Sequence, residues 1–279
     1  MIDSSFLFSQ HSLGDFVDCP RRFYLRYIAR QDWPLVEAPQ NGMTDPLAYR
    51  DYLRKGAVLH QWIERYWLGL DTPDGAVDRE DDEMRAWWTR FLATDFSALP
   101  PNRTPELALV APLGDYRLYA RFDLFANGGP DDTLIIVDWK TLRGEGAATK
   151  RFLTQRLQTR AYLYVLATAG APYNNGHAPQ PDRCSMIYWL ANFPQTPWVA
   201  IDYSPREYEQ DRRKLTALVE EIARRTTPDA FELTADERHC VACTYRTLCK
   251  RDGAAPVDVG GSDDEPRLAD LSTEQFLDY

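Results

Sequence analysis

The sequence lacks any long hydrophobic run. No apolar stretch in its 279 residues approaches the roughly 20 that a membrane-spanning helix requires. The opening residues, MIDSSFLFSQ, show neither a basic start nor an extended apolar core, so no secretory leader is expected. Both absences point to an intracellular, cytoplasmic protein whose thiols stay reduced. Cysteine is scarce. Five in such a compartment suggest metal chemistry or core packing rather than a disulfide framework. Positive charge is in deficit, with 32 Lys and Arg against 42 Asp and Glu and a formal net charge of −10. Any phosphate-binding surface must therefore be local. No G-K-[ST] phosphate loop is present, which excludes a motor of the P-loop type. No internal repeat is present either.

What is present is a large apolar reserve. Hydrophobic residues make up 44% and aromatic residues 13%, enough for one large domain or a domain with an insertion. The organising stretch is Asp132 to Thr141, DTLIIVDWKT. Leu134 to Val137 is a branched apolar run, as expected of a strand covered on both faces. Alternation puts Asp138 and Lys140 on one face with Ile136 behind them. Burying that pair is costly unless the two charges meet each other or a metal. A salt bridge at the rim and a catalytic centre are both open on this stretch alone.

The rest of the chain supplies its surroundings. Ser12 is expected to cap a first helix and Pro20 to open a second. Arg22, Arg26 and Arg30 recur every four residues, which is either a solvated face or a phosphate-contacting stripe. Residues 33–46 read as a loop. A helix is expected from about Leu47 to Leu68, carrying His60 and Glu64 one turn apart. An acidic loop over 71–82 and a helix from Met84 to Phe96 suggest an insertion over 71–104. Strands are expected at Glu106 to Ala111 and Tyr116 to Ala126, joined by a tight turn at Gly114-Asp115. With the organising strand they form an antiparallel meander, and Asp123 and Asp138 can meet near its end. A single helix is expected from Arg151 to Thr168, projecting Gln158 and Tyr162 together. Lys150, Arg151, Arg156 and Arg160 make it basic against the trend of the chain. A hairpin over Cys184 to Leu190 and Trp198 to Tyr203 follows, then a helix capped by Ser204 and Pro205. A second capping box is expected at Thr234 to Glu237. Residues 251–279 form an acidic tail, expected to be flexible and solvated.

Two sets of residues carry chemistry. Cys240, Cys243 and Cys249 form C-x2-C-x5-C, three ligands where metal sites want four. Cys19 can be the fourth if the termini meet, and His239 is the nearby alternative. Four thiolates suit an iron–sulfur cluster; by spacing alone, zinc remains open. The second set is His60, Asp123, Asp138, Lys140, Gln158 and Tyr162. Its carboxylates suit Mg²⁺ or Mn²⁺, and the imidazole suits Mn²⁺. Lys140 would orient and activate a water while Gln158 and Tyr162 frame the substrate.

In this order, GxxxH (Gly56 to His60), Asp123, DxK (Asp138-Trp139-Lys140) and QxxxY (Gln158 to Tyr162) resemble the RecB-type branch of the PD-(D/E)XK nucleases. The start, Cys19-Pro20-Arg21-Arg22-Phe23-Tyr24, and the terminal cysteine run resemble its iron–sulfur members. Those include the CRISPR-associated exonuclease and the AddB nuclease domain. The resemblance covers about Ser9 to Cys249, weakly over 70–104, and departs at Ala120, where such proteins often carry glycine. It implies an α/β restriction-endonuclease-like core over 1–250, with a mixed sheet flanked by helices. It also implies a four-iron, four-sulfur cluster tying the N-terminal helices to segment 240–249. The metal would be held by His60, Asp123, Asp138 and the carbonyl of Trp139, with Lys140 catalytic. The implied activity is exonucleolytic, on single-stranded DNA or single-stranded ends, in CRISPR spacer acquisition or DNA repair. A helicase or a CRISPR integration complex would be the partner. Arg22, Arg26, Arg151, Arg156 and Arg160 are the candidates for contact with the DNA backbone. The alternative is a non-catalytic DNA-binding or assembly subunit that keeps the fold and the cluster.

Overall fold

The computed structural model describes residues 2–31, 46–71, 77, 81–144, 148–241 and 243–251, and only the helix, not the side chains, for 46–50. Except for Pro46, which opens a helix, the expected loop over 33–46 lies outside these residues, as do most of the acidic loop and nearly all of the tail. Among the described residues no helix is long and apolar enough to cross a membrane.

The sheet has six strands: β1 (Leu7–Ser9), β2 (Asn102–Leu113), β3 (Tyr116–Asn127), β4 (Leu134–Lys140), β5 (Cys184–Leu190) and β6 (Trp198–Asp202). Its order is β1-β3-β4-β5-β6, with β2 also paired to β3. The expected meander is β2-β3-β4, antiparallel throughout. Gly114 makes its first turn at φ 59°, a left-handed conformation that glycine adopts without strain. β4 pairs parallel with β5, so the Asp-x-Lys strand is internal to the sheet. β1 escaped the sequence reading because three residues are too few for alternation to register. The first helix, α1 (Gln10–Asp18), is capped by Ser9, with Ser12 returning the bond at the third position. That corrects the expected cap at Ser12.

Helices cover both faces. The remaining ones are α2 (Pro20–Phe23), followed by a π turn at Tyr24–Ile28, then α3 (Pro46–Trp67), α4 (Asp82–Leu92), α5 (Lys150–Gln155), α6 (Leu157–Ala169) and α7 (Pro205–Arg224). One core joins the sheet to α1, α6 and α7 through residues such as Leu13, Leu163 and Leu218. The other joins it to α3 and α4 through Leu59, Trp62, Trp87 and Phe91, with Trp139 and Trp189 from the strands. Two of the buried indoles pair their N–H groups: Trp87 donates to Asn192 Oδ1 at 2.8 Å and Trp189 to Thr94 Oγ1 at 3.2 Å. The expected insertion thus contributes α4 to one layer, and Lys55 of α3 ties to its start through Asp81 and Glu83.

The single helix expected from Arg151 to Thr168 is broken. Arg156 is extended, with φ −59° and ψ 140°. Side-chain bonding stabilises the break: Thr159 Oγ1 donates to Leu153 O at 2.5 Å and lies 2.6 Å from the Tyr188 hydroxyl. A carbonyl that the helix would have satisfied is paired by other means. At the C-terminal end, Asp236 rather than Thr234 caps a single turn over Glu237–Cys240.

Candidate active centre and cysteine cluster

β3 crosses from one layer to the other. Leu118, Ala120 and Phe122 belong to the α6-side core, whereas Leu124 and Ala126 belong to the α3-side core and Phe125 to the first. Strand alternation has period two, so it reverses between Phe122 and Leu124. Opposite the reversal lies Glu106, at φ 53° and missing from an otherwise continuous β2–β3 register. A non-glycine residue in that region carries strain. Asp123 sits at the crossing.

Three elements converge there. β3 and β4 last pair at Leu124 and Val137, which brings Asp123 and Asp138 abreast one step further along. Asp123 Oδ2 accepts from the Trp139 N–H at 3.0 Å. His60 of α3 places Nδ1 3.3 Å from the same oxygen. Asp138 faces the other layer, where Gln158 Nε2 in the first turn of α6 donates to Oδ1 at 2.9 Å. Lys140 Nζ lies 3.2 Å from Asp138 Oδ2.

The charges are unevenly compensated. Burial pushes the Asp138 carboxyl up to about 6; Lys140 opposes this and the Asp123 charge adds to it. Burial also works against ionised Asp123, but His60 and the Trp139 N–H more than offset it, so its pKa falls below the usual range. For His60, burial disfavours the cation, yet Asp123 outweighs it and lifts the imidazole to about 8. The sequence reading missed Glu106. Its carboxyl is raised by burial and then by Asp123, with Arg121 opposing, and a left-handed residue in a strand leaves no mark in composition.

Divalent cations fit this donor set in one respect. Asp138 Oδ2 is buried, accepts no well-aligned hydrogen bond and has the Lys140 ammonium 3.2 Å away, so it already faces positive charge as a cation ligand would. Among the described residues no three of His, Cys, Asp or Glu stand in ready ligand geometry. His60 and Asp123 are closed on each other. Tyr162, one turn after Gln158, is 8% exposed in the α6-side core, with its ring centroid 5.3 Å from that of Phe122, the residue before Asp123.

The predicted arginines divide. Arg22 is paired with Asp15 and Asp18. Arg160 is buried between Asp211 and Glu207. Arg156 is buried as well. Interior carboxylates already hold Arg22 and Arg160, which corrects their expected role at a DNA backbone. Arg26 keeps a side chain 43% exposed beside Asp15, and Arg151 is exposed.

Cys19, Cys240, Cys243 and Cys249 are free thiols drawn from opposite ends of the chain. Burial, and then the proximity of Cys19, Cys243 and Cys249, pushes the Cys240 thiol up to about 11. Those influences put the four thiols in one region of the molecule, although among the described residues no three of them stand in ready ligand geometry. Contacts without sulfur hold the ends together: Arg21 N–H donates to Glu232 O at 3.0 Å, Phe23 stacks on Phe231, and the Tyr245 hydroxyl donates to Gln31 O at 3.1 Å. His239 turns Nδ1 to Asp18 at 3.6 Å. Cys184 lies apart, buried in β5.

The sequence model of the PD-(D/E)XK nuclease superfamily matches residues 7–107 and 79–250. The chain belongs to this superfamily. Among PD-(D/E)XK nucleases Mg²⁺ or Mn²⁺ is the usual metal and DNA the usual substrate. No curated protein matches the chain. The solved structure of SSO0001 is 14% identical, with 89% of this chain and 88% of that chain covered and a TM-score of 0.43. A candidate exonuclease of Eubacterium rectale is 11% identical, with 83% and 85% covered and a TM-score of 0.48. The superfamily implied by the motifs is therefore the one to which this PD-(D/E)XK nuclease belongs.

Proposed function

We propose that the chain is a divalent-metal-dependent exodeoxyribonuclease acting on single-stranded DNA. The observation that carries this reading is the meeting of His60 with Asp123 at 3.3 Å beside the buried Asp138–Lys140 pair. His60, Asp123, Asp138 and the Trp139 carbonyl would hold Mn²⁺ or Mg²⁺. Bound there, the ion supplies charge stabilisation at the phosphoryl group and acidifies water. Lys140 orients the attacking water and faces the charge that builds up on the phosphoryl oxygens. Gln158 fixes Oδ1 of Asp138, which leaves Oδ2 for the centre. Tyr162 supports the sheet through Phe122. Arg26 and Arg151 remain the candidates for backbone contact.

The four converging cysteines support an iron–sulfur cluster, of the 4Fe–4S type by ligand number, that reinforces the junction of the two ends. Zinc is the competing occupant; broad absorbance near ~400 nm distinguishes the cluster from it. The wider role we infer is CRISPR spacer acquisition or DNA repair, with a helicase or integration complex supplying the strand end.

The closed His60–Asp123 pair is what favours a second reading, a DNA-binding or assembly subunit without catalysis. Degradation of single-stranded DNA with Mn²⁺ separates the two. Wild type is expected to digest it and Lys140→Ala to lose at least about a hundredfold in rate. Digestion by neither protein would sink the hydrolase.

A further inference from the structure

Among the described residues, part of the outer strands β1, β2 and β3 stays exposed beyond the helices that cover the rest of the sheet. Between the buried residues Leu118, Ala120 and Phe122, β3 turns Arg117, Tyr119 and Arg121 the opposite way. Arg117 is exposed and Tyr119 half-buried, and the Arg121 side chain is 62% exposed. The neighbours in register are small or apolar: Ala108 beside Arg121, Val110 beside Tyr119, and Leu7 beside Arg117. Val110 and Leu7 are 43% and 44% exposed. The next residue in the series is Asp123. At a strand rise of about 3.4 Å, its members stand about 7 Å apart. Arg121 Nε is held 2.9 Å from Glu106 Oε2, at the edge of the acidic centre.

We propose that this face is a track for single-stranded DNA leading to Asp123. The two guanidiniums take phosphates and the Tyr119 ring takes a base, over a floor of Ala108, Val110 and Leu7. Charge supports this occupant, because the strip is cationic in a chain of net charge −10 and continues into the proposed active centre. A ring between two cations matches the way unpaired bases and their backbone are bound without sequence preference. A duplex keeps its bases stacked on one another and has no free base for Tyr119. The choice of DNA rests on the nuclease reading; the open cationic strip does not.

The test is fluorescence anisotropy of a labelled oligothymidylate with chelator present, so that nothing is cut. Wild type is expected to bind. Arg117→Glu with Arg121→Glu should weaken binding at least tenfold and flatten the slope of log K against log salt by about 1.4, roughly 0.7 per arginine. Tyr119→Ser should cost about tenfold and Tyr119→Phe almost nothing. Arg206→Ala, at an exposed site on α7, should bind as wild type does. Unchanged binding by the β3 variants overturns the track, as does failure of wild type to bind or a duplex bound equally well through the same residues. Digestion with Mn²⁺ is read separately. A protein that cuts but ignores these substitutions keeps the hydrolase and loses the track; one that binds through them but never cuts does the reverse.

Discussion

The acidic centre and the cysteine cluster are both assembled from segments far apart in sequence, yet they are held in different ways. The acidic centre is built on an internal strand, with Asp138 and Lys140 on β4 between β3 and β5. Its backbone register is set chiefly by the β3–β4 and β4–β5 ladders, with the Asp123 carboxylate taking the Trp139 N–H where the first ladder ends. The cysteines stand on short turns: Cys19 between two helices and Cys240 at the end of a four-residue 3-10 turn. What brings them together is a handful of aromatic and main-chain contacts. The first region can bury charge, paired as His60 with Asp123 and Lys140 with Asp138, because its strands are held chiefly by their ladders. The second depends on its few anchors and gains from whatever its thiols bind.

The sharpest way to break this contrast is to disable the chemistry without the scaffold. Asp138→Asn should reduce DNA hydrolysis by about a thousandfold or more. It should also leave the unfolding temperature equal or higher, since it removes a buried carboxyl opposed by Asp123. A large loss of stability, measured by calorimetry, would mean that the centre supports the fold after all. At the other end, Phe231 is 1% exposed and lies against Phe23 and Tyr24. Phe231→Ala should cost about 3 kcal/mol in urea unfolding, because the aromatic anchor, unlike the thiols, has no substitute.

A third charged site sharpens the contrast by its pH response. Burial pushes the Asp211 carboxyl up to about 6 from an ordinary 3.8, although Arg160 and Tyr203 oppose the rise. Burial also opposes the Arg160 charge, yet Asp211 lifts that residue overall, so the pair attracts but does not repay the acid's desolvation. Folding therefore takes up a proton between about pH 4 and pH 6, and the cost of ionised Asp211 is complete above pH 6. Compared with Asp211→Asn, wild type should gain up to about 2 kcal/mol as pH falls from 7 to 4.5. A difference that stays flat across that range would contradict the buried-acid account.

Much of this architecture was legible because it follows from period. The run at Leu134 to Val137, the meander and the amphipathic helices each announce themselves through alternation or helical spacing. The meeting of His60, Asp123 and Asp138 followed from placing motifs on those elements. The superfamily followed from their order. What escaped has physical reasons too. Three residues of β1 are too short to show a pattern. The break at Arg156 depends on Thr159 meeting Leu153 and Tyr188, a tertiary event. The burial of Arg160 depends on Asp211, which no spacing rule pairs with it; Arg22 has Asp18 four residues before it, but the second partner, Asp15, is brought in by the fold.

The crossing of β3 at Asp123 restricts how this hairpin can vary through descent. A deletion or insertion of one residue between Leu118 and Phe125 would exchange inside for outside along the remainder of the strand. It would present phenylalanine to water and arginine to a core. Length changes in homologous hairpins should therefore gather at Gly114-Asp115, beyond the last pair of β2 and β3, where an added residue leaves every later side chain in its own layer.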